Sequence, residues 1–263
     1  MTALLVGCGG GGSSPTSTTT QQSTSLGGGA GKPVAIYGSP LNGRSPRGLL
    51  ILIHGGGWKG LNRKALEATV ATAVIFRSLG IETMTVDYRR GAQGVADVER
   101  FYQDARKRFG PNLPVCALGA SAGGHIALML AIRFPTLACA IDMAGPTDLA
   151  TLGSQGSPIG YQIAKQAFGV SAFIRFSPAL HDGTIKAKVM LVYADNDPLV
   201  PVAQGEEMAR ADPRAELIKL PPGRATFVHT GVGAPIARSG VSATAKRQAQ
   251  LAEVRFLLAS MNA

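Results

Sequence analysis

Short runs of consecutive apolar residues alternate along this chain with longer segments of helical periodicity. The apolar runs predict buried strands over 34–37, 49–53, 81–88, 113–118, 138–143, 188–194 and 216–220. The periodic segments predict helices over 62–79, 95–109, 122–134, 202–211 and 241–259. Such alternation is typical of a mostly parallel sheet that is covered by helices on both faces. Ligands of such sheets bind beyond the carboxyl ends of the strands.

A serine flanked by glycines stands at one of these carboxyl ends. The sequence Gly119-Ala120-Ser121-Ala122-Gly123 follows the strand predicted over 113–118 and opens the next helix. Gly-x-Ser-x-Gly between a strand and a helix is the signature of a nucleophile elbow, in which a sharp turn holds the serine hydroxyl up to solvent. The sequence therefore indicates Ser121 as a nucleophile, and the alternative is a strand-to-helix loop without chemistry.

A glycine triplet follows the apolar run 49–53. In His54-Gly55-Gly56-Gly57-Trp58 the backbone N–H groups are unobstructed by side chains. Donors of this kind, aimed at a developing oxyanion, contribute strongly to acyl transfer. The alternative is a glycine-rich connection between a strand and a helix. Trp58 would pack beneath this loop or form a wall of the substrate pocket.

These motifs, together with Val86-Asp87-Tyr88-Arg89 between them, carry a family resemblance. From about 34 to 258 the chain resembles the α/β-hydrolase superfamily, and within it the carboxylesterases of the hormone-sensitive-lipase and feruloyl-esterase/formamidase type. The resemblance implies the α/β-hydrolase fold, with Ser121 as the nucleophile. It further implies an oxyanion hole formed by the backbone N–H groups of Gly56, Gly57 and Ala122.

A catalytic triad also needs a base and an acid, which follow the serine in the chain order Ser, Asp or Glu, His. Of the four histidines, His54 precedes Ser121, His125 lies on the helix behind it and is expected in the core, and His181 precedes the expected acid. His229 alone has the required order and is predicted to be the base, the alternative being a histidine of a surface loop.

Two carboxylates follow the strand predicted over 188–194. Asp197 stands in Asp197-Pro198-Leu199-Val200-Pro201, which resembles the Asp-x-x-Val-Pro pattern of the family, and it is predicted to be the acid of the triad. Asp195 is the alternative, and it is expected to hydrogen-bond its own loop backbone.

Composition sets the bounds on size and partners. A chain of 263 residues with 45% hydrophobic content can bury one core, so 33–263 is predicted to be a single catalytic domain. The net charge of +10 is scattered, and only 6% of residues are aromatic. This pattern favours a solvated basic surface over nucleic-acid binding and leaves a weak attraction to anionic surfaces open.

The first residues are similar to a bacterial lipoprotein signal. Leu-Val-Gly-Cys8 resembles a lipobox, and 9–31 is an uncharged Gly/Ser/Thr-rich segment that cannot form a core. Residues 1–32 are therefore predicted to be a signal remnant and flexible linker, with Cys8 as a lipidated membrane anchor and the cell envelope as the location. A disordered cytoplasmic N-terminus is the alternative. Cys116 and Cys139 fall in neighbouring predicted strands and are expected to be buried free thiols, a disulfide being the alternative.

The resulting functional hypothesis is hydrolysis of carboxylic esters, with short acyl groups or with aryl or polymer-linked alcohols. The alternatives are amide, formamide or peptide hydrolysis by the same triad, and a non-catalytic binding lipoprotein of the cell envelope. No metal or organic cofactor is expected, and the oligomeric state is open. The segment 145–184 would form either a small lid over the site or ordinary packing helices.

Overall fold

The fold is described from a computed structural model, which describes residues 25–26, 31–181, 183–221 and 242–262. Two predicted functional residues, Cys8 and His229, lie outside the described residues, as does the predicted linker apart from residues 25–26 and 31–32. Among the described residues, no helix has both the length and the apolar character needed to cross a bilayer.

The described strands form one sheet of eight. In chain order they are β1 (Ser25–Leu26), β2 (Val34–Gly38), β3 (Leu49–Ile53), β4 (Glu82–Asp87), β5 (Val115–Ala120), β6 (Cys139–Met143), β7 (Lys188–Ala194) and β8 (Glu216–Leu220). Their order across the sheet is β1-β2-β4-β3-β5-β6-β7-β8. Strands β3 to β8 are parallel, whereas β2 pairs antiparallel with both β1 and β4. The predicted parallel sheet is confirmed, with β1 and β2 as an antiparallel edge.

Helices cover both faces of this sheet. They are α1 (Arg63–Ser78), α2 (Gly91–Phe109), α3 (Ala122–Arg133), α4 (Pro158–Phe168), α5 (Val202–Ala211) and α6 (Ala243–Met261). Along β3 the side chains alternate between two hydrophobic cores: Leu50 and Leu52 pack with α1 and α6, while Ile51 faces the opposite core with α2 and α3. This alternation explains why β3 is apolar at every position. The architecture is that of the α/β-hydrolase fold.

Segment 145–184 contains α4 and three short 3-10 helices, Val170–Ala172, Ile174–Phe176 and Pro178–Leu180. Ser157 caps α4 by accepting a hydrogen bond from the backbone N–H of Gly160, and Pro158 occupies the first helical turn. The segment therefore contains several short helices, which both expectations for it allow.

The expectation that Cys116 and Cys139 are free thiols is wrong, because the two residues form a disulfide. They are register partners on the parallel strands β5 and β6, with Cα atoms 4.6 Å apart. This separation lies within the range that a disulfide can bridge. Both residues are fully buried in the core beneath α6.

The disulfide predicts a measurable dependence of stability on reductant. It closes a loop with a sequence separation of 23, and removing such a cross-link typically lowers the free energy of unfolding by about 2–4 kcal/mol. In a Cys8→Ser background, dithiothreitol is expected to lower the urea midpoint of unfolding. The double variant Cys116→Ala/Cys139→Ala is expected to have a low midpoint that dithiothreitol does not change. Equal midpoints for the cross-linked protein with and without reductant would show that the bond adds no stability.

Candidate active site

Ser121 occupies the sharp turn between β5 and α3. Its backbone angles are φ 54° and ψ −125°, a region that residues with a side chain rarely adopt. Two hydrogen bonds hold it there: its N–H donates to the carbonyl of Met143 at 2.8 Å, and its carbonyl accepts from the N–H of His125 at 3.0 Å. The serine is half-buried and faces a cavity. The structure therefore places Ser121 as the sequence motif predicts.

The flanking glycines are required by close backbone contacts. A Cβ atom on Gly119 would overlap the backbone of Gly123, and one on Gly123 would overlap the carbonyl of Ile53. β3 and β5 are neighbours in the sheet, so the turn after β5 packs directly against the end of β3. Only glycine allows this approach.

The glycine triplet lies beside Ser121 because it follows β3. A Cβ atom on Gly55 would be 3.3 Å from the Cβ of Ser121. Gly56 and Gly57 have positive φ angles of 131° and 61°, which favour glycine. Among the residues that the structure describes, the N–H groups of Gly56, Gly57 and Ala122 have no hydrogen-bond acceptor. Ala122 is the first residue of α3, where an N–H group has no partner within the helix.

Ser121 and the glycine triplet share a cavity of about 590 Å³. Its other lining residues come from the α1 region (Trp58, Lys59, Asn62, Ala65 and Ala68), from α4 (Gly160 and Ile163) and from the loops after β6 and β7 (Pro146, Leu199 and Val200), besides His54 and Ala120. Ile163 contacts the loop directly, since a Cβ atom on Gly57 would be 2.9 Å from its Cγ2. The wall formed by α4 and the β7 loop is apolar, as expected for a pocket that accepts hydrocarbon.

A buried contact between His54 and Asp87 anchors the start of the glycine loop. The Nε2 of His54 lies 2.9 Å from Oδ1 of Asp87, and its Nδ1 lies 2.6 Å from the carbonyl of Gly55. Asp87 also accepts hydrogen bonds from the backbone N–H groups of Asn62 and Tyr88. Burial opposes ionisation of Asp87, but the hydrogen bonds from His54, Asn62 and Tyr88 outweigh it and lower its pKa. Asp87 thus joins the glycine loop to the N-terminus of α1.

Trp58 and His125 form a second anchor, beneath the loop. The indole N–H of Trp58 donates to Nδ1 of His125 at 3.2 Å, and Nε2 of His125 lies 2.8 Å from the carbonyl of Phe176. Burial lowers the pKa of His125 to about 4, so the ring is neutral and donates from Nε2. The expectation of a core histidine is confirmed. The indole of Trp58 is buried against Phe168 and also lines the cavity, which combines the two roles expected of it.

Of the two carboxylates after β7, Asp197 is buried and Asp195 is exposed. Oδ1 of Asp197 accepts hydrogen bonds from the N–H groups of Leu199 (2.8 Å) and Val200 (3.0 Å), and both of these residues line the cavity. A carboxylate fixed in this way at the carboxyl end of a strand can orient an imidazole.

The three described histidines all have other partners. His54 is paired with Asp87, His125 is buried with Trp58, and Nε2 of His181 lies 3.2 Å from the carbonyl of Arg175. His229, the predicted base, lies outside the described residues, so its distance from Ser121 and Asp197 is not described.

A buried carboxylate lies directly behind the elbow. Oδ1 of Asp142, on β6, accepts from the N–H of Gly145 at 2.7 Å, and its Oδ2 lies 2.6 Å from the hydroxyl oxygen of Tyr193. The Tyr193 hydroxyl also contacts the carbonyl of Gly145. A tyrosine hydroxyl has one hydrogen, so a protonated Asp142 completes this network by donating the second. Burial raises the pKa of Asp142 to about 7, which agrees with this arrangement.

This pKa predicts that Asp142 makes stability depend on pH. The pKa is raised in the folded state from a usual 3.8, so the protein loses stability as pH rises from about 4 to 7, by roughly 4 kcal/mol in total. Asp142→Asn keeps an acceptor for Gly145 and a donor for Tyr193 without the charge. We expect this variant to exceed the wild type in urea midpoint above pH 7 and to lose the decline between pH 4 and 7. Asp195→Asn, an exposed control, should retain the decline. A wild-type decline that persisted in Asp142→Asn would refute this assignment.

Comparison with known proteins places this site in a family. A family model, BD-FAE, matches residues 35–211, about two thirds of the chain. The chain belongs to the BD-FAE family. The match to BD-FAE, a family of α/β-hydrolase-type esterases, includes Ser121, the glycine triplet and Asp197 and ends before His229. No curated protein sequence gave a significant match.

Solved structures share the fold at low identity. Thermogutta terrifontis esterase 2, phosphonylated by sarin, is 18% identical with a TM-score of 0.68, covering 86% of this chain and 89% of that one. An acetyl ester-xyloside bifunctional hydrolase from Caldicellulosiruptor lactoaceticus is 19% identical with a TM-score of 0.62, covering 84% and 88%. A puromycin-hydrolyzing peptidase from Mycobacterium tuberculosis is 22% identical with a TM-score of 0.61, covering 72% of this chain. This chain spans about a third of that peptidase's length. These likenesses show that this BD-FAE family member shares its fold with the three proteins.

Several site residues were not foreseen from the sequence. Asp87 belongs to the Val86-Asp87-Tyr88-Arg89 motif, but its pairing with His54 depends on β3 and β4 being neighbours. Lys59 lines the cavity because of how the loop before α1 is folded. For Asp87 a signal was available, since a carboxylate at the end of an apolar strand lies at the edge where ligands bind.

Proposed function

We propose that this protein is a serine esterase that cleaves carboxylic esters of short acyl groups, including aryl and polymer-linked esters. The observation that carries the proposal is the strained turn at Ser121, which opens onto the same cavity as the glycine triplet. A non-glycine residue persists in such a conformation only when the surrounding structure enforces it, and such strain concentrates at functional sites.

In the proposed reaction, Oγ of Ser121 attacks the carbonyl carbon of the ester and forms a tetrahedral intermediate. The N–H groups of Gly56, Gly57 and Ala122 donate hydrogen bonds to the negative oxygen of this intermediate. Their support is that they lack other acceptors among the described residues. Collapse of the intermediate expels the alcohol and leaves an acyl-enzyme, which water then hydrolyses.

We assign the proton transfers to His229 and the orienting carboxylate to Asp197. The base takes the proton of Ser121 and returns it to the leaving alcohol, and the carboxylate stabilises the charged imidazole. The assignment of Asp197 is supported by its burial and by its fixed position at the end of β7. The assignment of His229 is supported by chain order and by the other partners of the remaining three histidines.

The test is a comparison of esters and an amide across matched variants. The full-length protein is assayed with 4-nitrophenyl acetate and butyrate, which are esters that release 4-nitrophenolate, and with 4-nitroacetanilide, an amide that releases 4-nitroaniline. We expect turnover of the esters, and losses of about 10³-fold or more in His229→Ala and of about 10²–10⁴-fold in Asp197→Asn. His181→Ala and Asp195→Asn are the controls and should retain wild-type rates.

The outcomes separate the alternatives. Faster cleavage of the anilide than of the acetate ester would indicate that the protein is an amidase that uses the same site. A folded protein that turns over none of the three substrates would favour the non-catalytic binding protein. Equal losses of ester hydrolysis in Asp195→Asn and Asp197→Asn would contradict the assignment of Asp197 as the acid of the triad.

A further inference from the structure

We propose that the active-site cavity binds esters that carry a carboxylate, and that Lys59 is the residue that recognises this group. The proposal rests on the esterase function above and specifies its substrate class. The geometry behind it is the position of Lys59 in the cavity wall, directly after the glycine triplet and Trp58.

The charge of Lys59 is uncompensated within the cavity. Of the described residues that line it, Lys59 is the only lysine or arginine, and none is an aspartate or glutamate. In the part of the chain that the structure describes, the Nζ of Lys59 forms no ion pair and no hydrogen bond. By contrast, the nearby Arg63 is paired with Glu67 at 3.3 Å. An exposed ammonium group without a counter-ion is available to a ligand anion.

The N-terminus of α1 adds a second positive contribution on the same side. Asn62, Ala65 and Ala68 line the cavity, so the first turns of this helix face it. The first turn contains no acidic residue, and the helix dipole places partial positive charge at this end, which the Asp87 carboxylate offsets only from behind the loop. Asp87 lies behind this region, where its carboxylate is hydrogen-bonded to His54 and to the backbone N–H of Asn62.

The apolar part of the cavity lining explains why a carboxylate would take a fixed orientation. Ile163, Leu199 and Val200 present apolar surface, where a charged group would lose its hydration without compensation. A carboxylate-bearing ester would therefore place its hydrocarbon against α4 and the β7 loop and its charge towards Lys59. Acylated uronic-acid sugars and half-esters of dicarboxylic acids have this chemistry. The net charge of +10 would attract such substrates from a distance.

The test uses isosteric ester pairs that differ in charge. 4-Acetoxybenzoate and 4-acetoxybenzamide place a carboxylate or a neutral amide on the alcohol side, and mono(4-nitrophenyl) adipate and 4-nitrophenyl 5-carbamoylpentanoate do so on the acyl side. We expect the wild type to favour the anionic member of at least one pair in kcat/KM. That preference should fall about 3-fold in Lys59→Ala and about 10-fold in Lys59→Glu, and should shrink at 0.5 M salt. Lys186→Glu changes the net charge equally at the amino-terminal side of the sheet and should keep the preference.

A binding measurement separates the two proposals. In the Ser121→Ala protein, 4-acetoxybenzoate should bind more tightly than 4-acetoxybenzamide by calorimetry, and Lys59→Glu should abolish the difference. If neutral esters are hydrolysed but neither anion preference nor a Lys59 effect is found, the carboxylate site is refuted and the esterase stands. If no ester is hydrolysed, the esterase fails, and the binding difference alone decides the carboxylate site. An equal loss of the preference for anionic esters in Lys186→Glu would show that the overall charge of the protein, and not Lys59, causes it.

Discussion

Replacing Ser121 by alanine is expected to lower kcat for 4-nitrophenyl acetate by about 10³- to 10⁶-fold, because the variant can form no acyl-enzyme. The hydroxyl is the only group removed. The turn itself should persist, since the Gly119 and Gly123 contacts and the hydrogen bond to Met143 do not involve the side chain. We therefore expect a thermal midpoint close to that of the wild type.

Ser154→Ala is the control for the loss of kcat in Ser121→Ala. Ser154 is exposed, and its hydroxyl donates to the carbonyl of Thr151, away from the cavity lining. Ser154→Ala should retain wild-type kcat under the same assay. A folded Ser121→Ala protein with kcat within tenfold of the wild type would mean that another group attacks the ester.

The second large effect concerns the fold around the elbow. Gly123→Ala places a methyl group where the carbonyl of Ile53 lies, and neither backbone segment can move without breaking the pairing of β3 and β5. Overlap of this kind in a close-packed region is expected to destabilise the protein by about 4 kcal/mol or more, together with a loss of activity. The urea midpoint and the yield of soluble protein report this effect.

Gly153→Ala provides the control for Gly123→Ala. The nearest contacts of a Cβ atom on Gly153 would be with the side chain of Tyr161, at ordinary distances of 3.5–3.7 Å, and its φ is not positive. This variant should have a midpoint near or slightly above that of the wild type, because alanine restricts the unfolded chain. Equal midpoints for the two variants would show that the close contact at Gly123 is not required.

The sheet and its helices follow closely from local pattern. The strands at 49–53, 188–194 and 216–220 and the helix at 202–211 occur with the predicted bounds. The three strands are short apolar runs bounded by turn residues, and the helix has an apolar face of helical period. The nucleophile elbow could also be predicted, because the glycines that it needs lie two residues before and after Ser121.

The features that escaped prediction depend on contacts between distant segments. α2 begins at Gly91 rather than 95, because Gly91 donates to the carbonyl of Trp58 and packs against Ala167, where only glycine fits. β5 continues to Ala120, since its pairing with β6 extends to Met143. The disulfide followed from strand register and not from spacing along the chain.

The same distinction applies within the site. Sequence order was sufficient to propose Ser121, Asp197 and His229, because the chain order of this triad is fixed by the topology of the fold. It was not sufficient to find Asp142 behind the elbow, because its pKa depends on burial against Tyr193 and Gly145. Buried polar networks are assembled by tertiary packing, so they have no local signature.

The most direct test of the account is covalent capture of the nucleophile. The full-length protein is treated with a fluorophosphonate, digested and analysed by peptide mass spectrometry, beside Ser121→Ala and Ser154→Ala. The account predicts one adduct, on Ser121, in the wild type and in Ser154→Ala, and none in Ser121→Ala. An adduct on another residue, or the absence of any adduct on a folded wild-type protein, would contradict the assignment of Ser121 as the nucleophile.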